Sequence, residues 1–170
     1  NIAFEHGHSI IVARVGSGEV VIDGTAMADT PVSRINCVPT ISILGRDSIT
    51  LQQLTITHHG NPYFGLGVAP PPNYLACTAT GVRIQPIAPS ANHPTSLGNV
   101  TNITISNCLF RDIHPARPDE LGLPLGFGSD DASYTTTNVT VTGSTFTNND
   151  TIAEESAGGV GVVAQHNRRA

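Results

Sequence analysis

Basic residues are scarce in this sequence: 8 Lys plus Arg against 13 Asp plus Glu in 170 residues, for a net charge of −5. So few cations cannot track a phosphate backbone, which argues against nucleic acid as a partner. Charged residues of both signs make up only 12%, and Trp is missing altogether. No apolar run approaches the roughly 20 residues of a membrane-spanning helix, so a soluble chain is expected. Cysteine is nearly absent too. Cys37, Cys77 and Cys108 form no Cys-x-x-Cys pair, so neither a zinc knuckle nor a complete disulfide framework is signalled, although Cys37 and Cys77 could pair. His6, His8, His58 and His59 lack a third ligand at a telling spacing, and no metal site is expected.

What remains is rich in Thr, Asn, Val and Ile, with 17 Gly and 12 Pro, a β-forming composition punctuated by turns. Its organising feature is a unit that occurs three times without a gap. The copies are Ile49-Thr-Leu-Gln-Gln-Leu-Thr-Ile56, Ile103-Thr-Ile-Ser-Asn-Cys-Leu-Phe110 and Val139-Thr-Val-Thr-Gly-Ser-Thr-Phe146. In each, two period-2 strands meet at a two-residue polar corner, which suits a chain bending around a core better than a hairpin. A shorter leading strand precedes each copy, at residues 41–43, 82–84 and 125–127, and another is expected at 160–162. Residues 9–13 and 19–22 read as an earlier unit. Three strands per unit, variable loops and no helical period predict an all-β solenoid, a single domain over residues 1–170. The chain starts at Asn1 and ends directly after a strand pattern, so a processed form or part of a longer chain is expected.

These aligned units resemble those of the right-handed parallel β-helix proteins of the pectate-lyase-like superfamily, whose repeats commonly read Asn-Val-Thr-Ile-x-Asn-x-x-Phe-x-Asn. The resemblance covers about residues 10–165. It implies a right-handed parallel β-helix of about five rungs with three short strands each. Function does not follow from the fold, which hosts many activities.

Adjacent parallel strands lie about 4.8 Å apart, so the alignment becomes a list of neighbours. Inward ladders are Ile49/Ile103/Val139, Leu51/Ile105/Val141, Leu54/Cys108/Ser144 and Ile56/Phe110/Phe146. Two residues further on, His58, Asp112 and Asn148 form a column. A His beside a carboxylate is an acid/base or substrate-binding pair, and the same residues also serve as corner hydrogen-bonders. Aligning Phe127 with Val162 sets Asp130 beside Gln165 and Asp131 beside His166. Paired carboxylates with a nearby His suit glycoside hydrolysis. Polygalacturonase-like β-helix enzymes carry a similar Asp-Asp pair with a His on the next turn, and the resemblance makes Asp130, Asp131 and His166 the candidate catalytic residues. Ser-Asp-Asp-Ala-Ser is equally a turn sequence. The preceding unit has Gln85-Pro86 where such enzymes have a further Asp, and the Asp cluster of calcium-dependent lyases is missing; no cofactor is expected.

Arg83 on a leading strand, and Tyr63 and Tyr74 in the long Pro/Gly-rich loop, join His58, Asp112 and Asn148 as candidate substrate-binding residues, the tyrosines as a sugar-stacking platform. Arg111, Arg117, Asp119 and Glu120 read as a solvated ion network. Asn99, Asn102, Asn138 and Asn149 each begin an Asn-x-Thr sequon. Two functions compete. One is an extracellular or cell-surface carbohydrate-active protein that binds or cleaves a polysaccharide. The other is a structural or adhesive module that stacks end to end through open solenoid ends into a fibre. An ice-binding Thr lattice over Thr50, Thr104 and Thr140 is broken by Leu109 on the neighbouring strand.

Overall fold

The computed structural model describes residues 2–3, 10–24, 39–59, 79–114, 122–128, 133–149 and 153–155. Among these, every regular element is a β-strand. The strands are β1 (Ile2–Ala3), β2 (Ile10–Ala13), β3 (Val21–Asp23), β4 (Ile41–Leu44), β5 (Asp47–Gln52), β6 (Thr55–His59), β7 (Ala79–Gln85), β8 (Val100–Ser106), β9 (Leu109–His114), β10 (Gly122–Phe127), β11 (Thr136–Thr142), β12 (Thr145–Thr147) and β13 (Ala153–Glu155). Every third strand returns to the same sheet. The first sheet runs β1-β4-β7-β10-β13, the second β2-β5-β8-β11 and the third β3-β6-β9-β12, with all strand pairs parallel. This order is consistent with a parallel β-solenoid, with four complete strand triplets and the leading strand of a fifth among the described residues.

The core forms where period-2 alternation sends β-branched and aromatic side chains to one side. Ile49, Ile103 and Val139 are successive partners, as are Leu51, Ile105 and Val141. Ile22, Ile56, Phe110 and Phe146 continue the ladder in the third sheet. Phe110 is fully buried, and its ring stacks on Phe146 with centroids 4.8 Å apart and planes 7° from parallel. The leading strands add Ile41, Val82 and Leu125 in one column and Ile43, Ile84 and Phe127 in another. Cys108 is a core residue, as its place in the ladder predicted: it is 1% exposed, and burial pushes its thiol above the usual range.

The corner between the second and third sheets is made by one residue in the left-handed region. Gln53, Asn107 and Gly143 occupy it at φ 56, 51 and 59°. Asn is among the few side chains that adopt this conformation readily, and Gly does so without steric cost. At Gly143 the space is closed as well, since an added Cβ would sit 2.3 Å from Asn107 Oδ1. Parallel pairing carries on around the bend through Gln53 N–H to Ser106 O (3.0 Å) and Asn107 N–H to Thr142 O (2.9 Å). No hairpin is needed.

A second left-handed column, Ser48, Asn102 and Asn138, opens the second sheet. Asn138 Nδ2 donates to Asn102 Oδ1 (3.2 Å), and Asn102 Nδ2 donates to Asp47 Oδ1 (2.9 Å), which also accepts from the Thr101 hydroxyl. The Thr101 and Asn102 bonds favour the charged carboxylate and hold its pKa below the usual 3.8. Because the folded state binds this proton less tightly than the unfolded chain, its contribution is complete above the ordinary carboxylate pKa. It disappears as pH falls through the lower folded value. Melting temperature measured from pH 6 downward is therefore expected to fall in the acid range, and Asp47→Asn to flatten that fall.

The structure corrects one leading strand. Phe127 pairs with Glu155 in β13, and Leu125 with Ala153, so the partner of β10 is not the 160–162 stretch. The apolar Val-Gly-Val run was the stronger strand signal. The chain instead returns after a short connection, with a polar strand.

Candidate functional site

His58 and Asp112, expected side by side, are separated by a β-bulge. Ile56 pairs with Phe110, but His58 pairs with Ile113, so two residues of β9, Arg111 and Asp112, stand opposite the single Thr57. Asp112 takes the left-handed conformation, with φ 55°. The extra residue turns Ile113 inward, where it is fully buried, and re-aims Asp112 outward. Asn149 fills the gap that this leaves in the ladder. Its Oδ1 accepts from Ile113 N–H and its Nδ2 donates to Phe110 O, both at 3.0 Å.

His58 is consequently an interior residue, 4% exposed. Its Nδ1 lies 3.0 Å from Thr40 Oγ1, and that hydroxyl donates to Thr57 O at 2.9 Å. With the Thr40 proton committed to the carbonyl, Nδ1 is the donor in the first contact. Gly24 packs directly against the pair, since an added Cβ would lie 2.3 Å from both Nδ1 and Oγ1. These contacts hold the connection into β4 against β6. His58 is thus buried, whereas Asp112 stands on the outer face of the sheet.

The rest of the column is as expected: Asn148 Nδ2 donates to Asp112 Oδ1 at 2.6 Å. Around this pair the structure adds two residues that the sequence reading did not join. Arg111 Nη2 is 3.4 Å from Glu19 Oε1 and Arg111 Nε is 3.8 Å from Asp112 Oδ2, with the three side chains 38%, 48% and 37% exposed. Glu19 is anchored in turn by the Thr55 hydroxyl at 2.8 Å. Arg111 therefore spans from the β3 side of the third sheet to its own bulge. Glu19 was legible in principle: it precedes Val21, whose register partner is Thr55, and Thr55 pairs with Leu109 beside Arg111.

The assembled site is an exposed row on the outer face of the third sheet: Glu19, Arg111, Asp112 and Asn148. It offers two acceptor-only carboxylates, a five-donor guanidinium and an amide with both capacities. Two negative charges against one positive leave it net acidic, and both carboxylates lean on the same cation. Arg83 is exposed too, but on the first sheet, where its register partners are Ser42 and Gly126. The remaining predicted site residues, Asp130, Asp131, His166, Tyr63 and Tyr74, lie outside the described residues, as do Cys37, Cys77, Arg117, Asp119 and Glu120. The alignment that set Asp131 beside His166 required Phe127 opposite Val162, and that pairing is replaced by Phe127 with Glu155. Among the described residues no three His, Cys, Asp or Glu side chains cluster as metal ligands.

A different polar cluster holds the connection between the first and second sheets. Arg46, 4% exposed, donates through Nη1 to Thr95 O and through Nη2 to Thr95 Oγ1 (2.7 Å). Ile87 bridges to Gly98, and Ser96 Oγ donates to Ile87 O. The guanidinium is spent on fastening residues 86–99, which makes it structural.

Comparison with protein-family models, curated proteins and solved structures gives no match.

Proposed function

We propose that this chain is an extracellular carbohydrate-binding protein, a right-handed parallel β-solenoid of the pectate-lyase-like kind, that holds a polysaccharide along the outer face of its third sheet. The observation that carries this reading is the exposed Glu19–Arg111–Asp112–Asn148 row. Sugar hydroxyls both donate and accept, and a row mixing carboxylate acceptors, guanidinium donors and an amide matches them without a deep cavity. Successive triplets repeat every strand spacing, about 4.8 Å, so an extended chain meets polar groups at several levels. Thr145 and Thr147 lie on the same strand as the last of these levels.

The charge pattern favours a neutral glycan. A uronate carboxylate could reach Arg111 only by displacing Glu19 or Asp112, and it would face the repulsion of both. Affinity electrophoresis through gels cast with neutral or uronate-rich polysaccharides tests this directly. Retardation by at least one neutral polymer is expected, with none by the uronates. Retardation by uronates alone, or by no polymer, overturns the proposal.

A second reading, self-association as a structural module, is favoured by one observation. Val141, the register partner of the fully buried Ile105, is 38% exposed on β11, the last strand of its sheet among the described residues. A part-exposed inward valine on the last described strand of its sheet suits a further parallel strand from a second copy. Sedimentation velocity across a hundredfold concentration range should then show growing species that Val141→Asp suppresses. A constant monomer removes this reading.

A further inference from the structure

The four Asn-x-Thr sequons occupy different structural positions. Asn149 is clasped at both ends of its amide, between Ile113 N–H and Phe110 O. Its Nδ2 satisfies a carbonyl opened by the bulge, so a sugar on that nitrogen would have to pull the amide out of the ladder. Asn102 and Asn138 are left-handed residues whose amides stack, each Nδ2 pointing at the acceptor of the preceding level. A sugar there would wedge apart Asp47, Asn102 and Asn138. Asn99 differs. It is exposed, its Oδ1 accepts from Thr135 N–H at 2.9 Å, and among the described residues its Nδ2 makes no hydrogen bond.

We propose that Asn99 is the single sequon that carries an N-linked glycan in the folded protein; this rests on the extracellular reading above. The donor is an oligosaccharide linked to a lipid pyrophosphate. The bond from sugar C1 to the pyrophosphate oxygen breaks, C1 bonds to Nδ2, one amide proton is lost to base, and the lipid pyrophosphate departs with the electron pair. The product keeps the Oδ1 that receives Thr135 N–H, so the native contacts survive the modification. Asn99 lies in the connection between the first and second sheets, and the Arg111 row lies on the third. The attachment nitrogen is therefore not part of that row.

The test expresses the chain behind an added signal peptide in a secreting eukaryotic host, which imposes the compartment whatever the chain's natural location. Secreted and retained fractions are treated with a glycopeptide amidase that hydrolyses the linked side-chain amide and so converts the Asn to Asp, and the sites are mapped by peptide mass spectrometry. Occupancy of Asn99 alone is expected in the secreted, cooperatively melting fraction. Asn99→Asp, which keeps the acceptor oxygen, should abolish that occupancy while the melting temperature is retained. An empty Asn99 in folded protein, or a glycan on Asn149, Asn102 or Asn138 with an unchanged melting temperature, overturns the proposal. Polysaccharide binding by material from a non-glycosylating host tests the parent reading separately.

Discussion

Phe110→Ala is expected to lower the free energy of unfolding by about 3–5 kcal/mol, measured by urea titration followed by circular dichroism. Phe110 is fully buried between Ile56 and Phe146 in the third-sheet ladder, and the strands on both sides fix its position. Truncation removes the transfer energy of the ring and leaves a cavity that paired neighbours cannot collapse into. It also removes the stacked contact with Phe146, a pair of a kind that contributes about 0.5–1.5 kcal/mol beyond area burial. Phe146→Ala breaks the same contact from the half-buried side and should cost less. If the two substitutions cost the same, the ladder does not converge on Phe110. A cost below about 1 kcal/mol for Phe110→Ala would mean that the third sheet does not close this core.

Arg111→Ala is expected to weaken binding of a retained neutral polysaccharide at least about tenfold, since the loss of one well-placed multidentate donor is of order 1.4 kcal/mol or more. Arg111→Lys should fall between, because an ammonium replaces the planar fork with a point charge and cannot face Glu19 and Asp112 together. Stability is expected to change by no more than about 0.5 kcal/mol, as exposed ion pairs contribute little and all three partners are more than a third exposed. This contrast separates recognition from folding. Asp112→Asn is the informative partner substitution, since Asn tolerates the left-handed backbone and keeps one acceptor oxygen toward Asn148. It should weaken binding less than Arg111→Ala does. Equal affinity of the wild type and Arg111→Ala would remove Arg111 from the site.

The ladders were legible in the sequence because three copies of the unit share one length from Ile49 to Ile56, from Ile103 to Phe110 and from Val139 to Phe146. Within such a run a period of two fixes both the face and the neighbour. The corners were legible as polar pairs, and their left-handed residues fit the Asn and Gly found there. Prediction stopped where the chain gains a residue. Asp112 inserts one between Phe110 and Ile113, and the sign of this in the sequence was an apolar residue three positions on rather than two. Counting straight through it put His58 beside Asp112, although the fold buries His58 against Thr40. The last leading strand was misplaced for another reason. Loop length between the third and first sheets varies from triplet to triplet, so hydrophobicity alone chose residues 160–162 over the polar β13. Arg46 and Glu19 were silent because long-range partners, not local pattern, give them their roles: Thr95 fastens one, Arg111 the other.

The most direct test of the glycan-binding account is a nitrogen-15 NMR titration with the neutral polysaccharide that retards the protein most. Chemical shifts of the Arg111, Asp112 and Asn148 amides, and of the Arg111 Nε–H, are predicted to move together along one saturating curve. Those of Thr104 on the second sheet and Arg83 on the first should stay in place. Saturating shifts centred on another sheet, or none at a concentration that retards the protein in gels, would contradict the account.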